Sequence, residues 1–188
     1  MNLHRLAAAC ALTLAAALPA AHATTVPLSV GSWALFNADL DYFGDQGVRD
    51  YNSDDFAAAH FSFTIASGFQ GTLTLVDLGF SGDAFTLRNG ATVLGSSSLG
   101  VNGDTSGAAE FNADAALANS AFGRASFTLG AGSYDITGAL SASSNGLNAS
   151  TGALKLEVSP VPEPATLATL LAGLSLLTVV LRRRDGSK

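Results

Sequence analysis

Apolar and polar residues alternate with a period of two along much of residues 24–160, and that period constrains the fold more than any other feature of the chain. In His60-Phe61-Ser62-Phe63-Thr64-Ile65 the apolar members occupy every second position. The same spacing relates Leu73 to Leu75, Phe85 to Leu87, Phe127 to Leu129, Tyr134 to Ile136, and Leu154 to Leu156 and Val158. Successive side chains of a strand point to opposite faces, so each segment reads as a strand with one buried face. Asn89-Gly90, between two such segments, predicts a two-residue hairpin with a type I′ turn, because both central residues of that turn need positive φ. Asn102-Gly103 and Asn145-Gly146 mark two further turns. Short strands separated by Gly, Asn and Ser turns predict a mainly β body, an antiparallel β-sandwich or jelly roll of about eight to ten strands. The alanine-rich stretch 108–122 departs from the pattern. It predicts a short helix capped near Asn112, with an irregular crossing between sheets as the alternative.

The two ends carry a different signature. Residues 1–5 give a short basic start, residues 6–18 an apolar stretch, Pro19 a stop and Ala21-His22-Ala23 an A-x-A cleavage site, so residues 1–23 read as a secretory signal helix with Thr24 as the mature start. Cys10 lies inside that apolar stretch, which continues well past it and argues against a lipidated cysteine. As the sole cysteine, it would leave with the signal, and the mature chain would then have no disulfide, thiol nucleophile or thiolate ligand.

At the other end, Val161-Pro162-Glu163-Pro164 precedes an uncharged apolar run at residues 165–181 and then Arg182, Arg183 and Arg184. Seventeen helical residues span roughly 26 Å, close to a hydrocarbon core of about 30 Å, and a snorkelling arginine closes the difference. The run predicts a single transmembrane helix, and the three arginines keep its far end cytoplasmic, which places residues 24–160 outside. Pro162 and Pro164 hold the preceding peptide extended, in a form a protease can bind. The chain thus divides into a signal (1–23), an extracytoplasmic body (24–160) and a tail (161–188).

The combination of Pro162-Glu163-Pro164, one apolar span and a terminal arginine cluster resembles the PEP-CTERM sorting domain of exopolysaccharide-producing Gram-negative bacteria. The resemblance implies an exosortase-type membrane protease as partner, with Pro162, Glu163 and Pro164 as the recognition residues and the tail removed or transferred. It further implies transient membrane anchoring, then a destination at the cell surface or in the exopolysaccharide matrix. Phe61-Ser62-Phe63-Thr64-Ile65, Asp83-Ala84-Phe85-Thr86-Leu87 and Gly132-Ser133-Tyr134-Asp135-Ile136 are also similar to a group of PEP-CTERM bodies named for an F-x-D-x-F motif, with Ala57 and Ala59 standing where its first phenylalanine and aspartate would fall.

Charge narrows what the body can bind. Arg49, Arg88, Arg124 and Lys155 are its only cations against thirteen carboxylates, a net of about −9, which disfavours nucleic-acid or anionic-lipid binding through the body. The cluster Asn37-x-Asp39-x-Asp41, with Asp45 beyond, offers the alternating oxygens a calcium ion prefers. Tyr42 and Val48 occupy the glycine and glutamate positions of an EF-hand, so either a generic calcium loop through Asp39, Asp41 and Asp45 or a solvated acidic loop remains. Trp33, Phe36, Tyr42, Phe43, Tyr51 and Phe56 interleave with these acids, as in a glycan-binding platform, although the abundance of Phe favours core packing. Catalysis finds little support. His60 is the single histidine of the body and heads an alternating strand, and Gly79-Phe80-Ser81-Gly82-Asp83 lacks the final glycine of a nucleophile elbow. The sequence therefore points to a non-catalytic exported protein needing no cofactor, with a calcium-dependent carbohydrate-binding module as the rival and a secreted hydrolase third.

Overall fold

The computed structural model describes residues 23–101, 109–143 and 146–161, with residues 169 and 174. Among the described residues ten strands form in the order β1 (Ala23–Pro27), β2 (Trp33–Asp39), β3 (Arg49–Asp50), β4 (Ala58–Ile65), β5 (Phe69–Leu78), β6 (Asp83–Asn89), β7 (Thr92–Ser96), β8 (Arg124–Leu129), β9 (Gly132–Ser143) and β10 (Ala149–Pro160). Within the same body the short helices α1 (Leu40–Phe43) and α2 (Ala113–Ala118) follow β2 and precede β8. The expected mainly β body is present, and each segment with period-two spacing lies on a strand.

The expected pair of separate sheets is not. One sheet runs β7-β6-β9-β4-β3-β2-β10-β5-β8, antiparallel throughout, and β1 lies parallel beside β4. The join is β3, only two residues long, which pairs Arg49 with both Asn37 of β2 and Ala58 of β4. So short a strand leaves no periodic trace, which is why the sequence suggests two sheets where one curls round. The two ends of the sheet meet just beyond β7, where Ser98 N–H donates to Arg124 O at 3.1 Å and Arg124 N–H to Ser98 Oγ at 3.1 Å. The result is a nearly closed barrel, which shelters edges that would otherwise template pairing with another chain.

Its interior holds Phe36, Phe61, Phe85, Ile65, Leu73, Leu75, Leu87, Ile136 and Leu154, all essentially without solvent exposure. The Phe36 ring meets Phe85 edge-on at 5.0 Å and Phe61 at 6.1 Å. Each such side chain contributes about 1.5–3 kcal/mol by leaving water. On β5 the opposite face is covered too: Val76 and Leu78 pack with Ala113, Ala116 and Phe122 around α2, so β5 is a central strand buried on both sides.

The helix expected near Asn112 forms, with Asn112 Oδ1 accepting the Ala115 N–H at 3.0 Å as its cap. Its C-terminal carbonyls are taken by Arg124, whose guanidinium donates to Leu117 O and Asn119 O. The β6–β7 hairpin also forms, but one residue later than expected. Asn89 pairs with Thr92, leaving Gly90 and Ala91 as the turn, and only Gly90 has positive φ (54°). Positive φ at the first central position alone marks a type II′ turn, so the type I′ expectation is corrected. The displacement has a cause: Asn89 Oδ1 accepts the Asp135 N–H at 3.0 Å, which retains the asparagine in the ladder. The Asn102-Gly103 turn, Asn145, the signal helix and the span at 165–181, apart from residues 169 and 174, lie outside the described residues; among those described, no helix is long and apolar enough to cross a membrane.

Candidate functional site

The strands give the barrel two unlike poles. β10 pairs with β5 from Thr151↔Leu78 at one pole to Pro160↔Phe69 at the other. At the second pole the pairing continues to the last described residue of the body: Val161 N–H donates to Gly68 O at 2.9 Å. The expected recognition residues Pro162, Glu163 and Pro164, and Arg182, Arg183 and Arg184, lie outside the described residues, as does Ala21. Ala23 and Thr24 open β1, opposite Ala58 and Ala59. The body is therefore zipped into the sheet right up to the start of the tail.

The first pole is acidic. Asp39 caps α1, its Oδ1 accepting the Tyr42 N–H at 2.9 Å, and the helix ends at Gly44 in left-handed conformation (φ 76°). Asp41 is exposed in the first turn of α1. Asp45 turns toward Arg49 instead, Oδ2 to Nη2 at 2.7 Å, while its Oδ1 takes the Gly47 N–H at 2.8 Å. Partial burial acts against ionisation of Asp45, but the Arg49 hydrogen bond, the Gly47 N–H and the Arg49 charge hold its carboxyl below the usual range. Asp39 and Asp45 thus each have a structural partner, and no group of three His, Cys, Asp or Glu side chains arranged to hold a metal occurs among the described residues.

Above this loop the aromatics separate. Phe36 enters the core by strand alternation and Trp33 packs beside α2, its Nε1 donating to Asp114 at 2.9 Å. Tyr42, Phe43 and Phe56 gather at the surface with centroids 5.1–5.9 Å apart. Tyr42 is 68% and Phe56 52% exposed. Arg49, itself buried, supports the group from below, 4.9 Å from the Phe43 centroid, and its Nε donates to Phe56 O at 2.8 Å. That bond holds Phe56 at φ 52°, a conformation unusual for a bulky residue.

Beside the acidic loop, at the ends of β2, β5, β6 and β10, lies a cavity of about 260 Å³ bounded by Asn37, Asp39, Asp83, Phe111 and Ser150, among others. Behind it Asp77 is fully buried; its Oδ2 accepts the Gly82 and Asp83 N–H groups, both at 3.2 Å, and its Oδ1 the Ser150 hydroxyl at 3.3 Å. Burial, reinforced by the neighbouring Asp83, outweighs these bonds and pushes the Asp77 carboxyl up to about 7. Asp83 Oδ1 and Asn37 Oδ1 are buried without a hydrogen-bond partner among the described residues. No Lys or Arg is among the residues bounding the cavity, so its chemistry suits a hydroxyl donor or a cation and repels an anion. Sequence spacing does not reveal this group, since its members come from strands far apart in the chain. His60 is distant from it and pairs with Asp135, Nδ1 to Oδ1 at 2.9 Å, on a half-exposed part of the β4–β9 surface.

The rolled sheet, with its last strand leading straight into a proline-flanked apolar tail, defines a class: a β-rich body carrying a C-terminal sorting segment. Residues 160–184 match the PEP-CTERM protein-sorting motif, and by that motif the chain is a PEP-CTERM protein. The motif marks an exported protein sorted by its C-terminal signal, and implies transient membrane anchoring before processing by an exosortase, a membrane protease. No curated relative matches the chain. Among solved structures, the pre-peptidase C-terminal domain of a collagenase from Bacillus anthracis is similar over 74% of this chain and 99% of its own, at 14% identity and TM-score 0.39. PliG from Aeromonas hydrophila, a periplasmic inhibitor of g-type lysozyme, is similar over 74% and 100% at 12% identity and TM-score 0.37. Neither similarity bears on function at those values.

Proposed function

We propose that residues 24–160 form a non-catalytic extracytoplasmic module that is exported behind the signal 1–23, held by the span 165–181 with Arg182, Arg183 and Arg184 inside, and released or transferred at Pro162-Glu163-Pro164. Its destination is the cell surface or the exopolysaccharide matrix, where its role is structural or adhesive. The observation that carries this reading is the sorting motif beginning at the residue where β10 ends. Replacing Glu163 with alanine in the host tests the sorting role: the variant should accumulate at full length in the membrane fraction, and normal processing would refute recognition at that residue.

A second reading is favoured by the exposed Tyr42 and Phe56 rings, packed with the half-buried Phe43 beside the acidic loop. Rings that cover the apolar face of a sugar next to carboxylates that accept its hydroxyls suit a carbohydrate-binding module, with calcium at Asp39, Asp41 and Asp45 as its optional organiser. Calorimetric titration with calcium and with matrix polysaccharide distinguishes it, and silence in both would remove it.

A further inference from the structure

We infer that, before processing, the pole of the barrel formed by the β4–β5 turn and the end of β10 rests on the lipid headgroup layer through Phe69 and Val161. This rests on the reading that residues 165–181 span the membrane, and it adds how the body sits on that membrane.

The first argument is the length of free chain. Val161 is fixed to the sheet by its hydrogen bond to Gly68 O at 2.9 Å, and Pro160 pairs with Phe69. Only Pro162, Glu163 and Pro164 separate this anchored residue from the apolar run. Four residue steps reach at most about 14 Å, while the headgroup layer on one side of a bilayer is about 5–8 Å deep. So short a tether keeps the β4–β5 turn within about 6–9 Å of the headgroup surface.

The second argument is what that pole presents. Phe69, opposite Pro160, is 40% exposed and Val161, the next residue along, is 47% exposed, both at the point where the chain leaves the barrel. The adjoining turns at residues 66–68 and 130–131 contain no charged residue. Val30, 61% exposed, lies beside Leu156, five positions before Val161. An aromatic ring and an aliphatic side chain beside uncharged turns are what a headgroup interface accepts.

The third argument is where the charge goes. Asp39, Asp41, Asp45, Asp54 and Asp55 lie toward the other pole, since Asp39 pairs with Ala149 and the loop carrying Asp54 and Asp55 leads into Ala58, the residues of β10 and β4 farthest from Pro160 and Ile65. A body with a net charge of about −9 is repelled by an anionic surface, and this orientation places the acidic loop at the far end of the barrel, with Asp135 and Glu157, paired with His60 and Lys155, on its wall.

The test uses the full chain, with Cys10 replaced by alanine, reconstituted into liposomes that carry a headgroup-level quencher. An environment-sensitive fluorophore is attached at Ser67→Cys in the β4–β5 turn or, as control, at Asn52→Cys in the loop between β3 and β4; both sites are exposed. The label at 67 should lose most of its emission and the label at 52 none. Adding Phe69→Asp, or a flexible insertion between Val161 and Pro162, should restore emission at 67 while the protein still floats with the liposomes. Flotation without quenching at 67, or equal quenching at both sites, would overturn the proposal and leave the anchor standing. Protection of residue 67 only when protease-containing host membranes are added would assign the rim to the protease and overturn lipid contact. Failure to float would remove the anchor and the proposal together.

Discussion

Gly152 of β10 faces Phe36 of β2 across the ladder, and a Cβ at residue 152 would stand 2.5 Å from the Phe36 ring and 3.1 Å from Phe85. The three rings Phe36, Phe61 and Phe85 fit in the barrel because one strand contributes no side chain at that level. Gly152→Ala forces rings out of their packing, and overpacking of this kind costs about 1–3 kcal/mol. At Gly71 the clash is instead with the tip of Ile65, Cδ1 at 2.5 Å, which can turn aside. A denaturant melt should show Gly152→Ala as the more destabilising of the two, and equal midpoints would refute the ring-clearance argument.

Asp77 makes stability depend on pH in a specific direction. Its folded carboxyl titrates near 7, above the value of about 4 for an unfolded aspartate, so between these values the folded state holds a proton the unfolded state has lost. Its contribution is therefore full below about pH 4, declines as pH rises toward 7, and is flat above, with an amplitude on the order of 3–4 kcal/mol as an upper bound. Asp45, held low by Arg49, acts oppositely and in a separate window, losing its contribution only as pH falls below the ordinary carboxylate range. Asp77→Asn keeps the shape of the side chain and should remove the decline between pH 4 and 7 in thermal melts. A slope unchanged by the substitution would place the titration elsewhere.

The two kinds of feature differ in how far the sequence reveals them. Alternation marked β4, β5, β6, β8, β9 and β10, because each buries one face along enough residues for the period to register, and the Asn112 cap showed through its side-chain chemistry. β3 was hidden by its length, and with it the continuity of the sheet. The hairpin turn moved by one residue because a tertiary bond, Asn89 Oδ1 to the Asp135 N–H, outweighed local turn preference. The cavity had no sequence signature at all. Asn37, Asp83 and Ser150 are brought together by register across four strands, and the surface position of Tyr42 and Phe56 follows from α1 and from the left-handed residue 56, neither of which has a period to read.

His60 and Asp135 form a cross-strand pair in reach of solvent, and exposed pairs of this sort contribute about 0.2–1 kcal/mol. His60→Ala should therefore shift the melting midpoint only slightly and leave processing at the C-terminus intact. A loss of several kcal/mol would mean the pair holds the β4–β9 ladder in a way its exposure does not suggest.

Asp39 distinguishes the two readings of the acidic loop. As the N-cap of α1 it satisfies the Tyr42 N–H, and replacing a capping aspartate with alanine costs about 0.5–2 kcal/mol whatever ions are present. As a calcium ligand it would matter only when calcium is bound, because an ion that binds the folded state alone adds stability in proportion to its concentration above Kd. Melts of wild type and Asp39→Ala in chelator and in millimolar calcium give the answer. The capping role predicts the same deficit in both conditions, with Asp39→Asn restoring most of it. A deficit that appears only with calcium would instead establish Asp39 as a ligand and strengthen the carbohydrate-binding reading of the rings beside it.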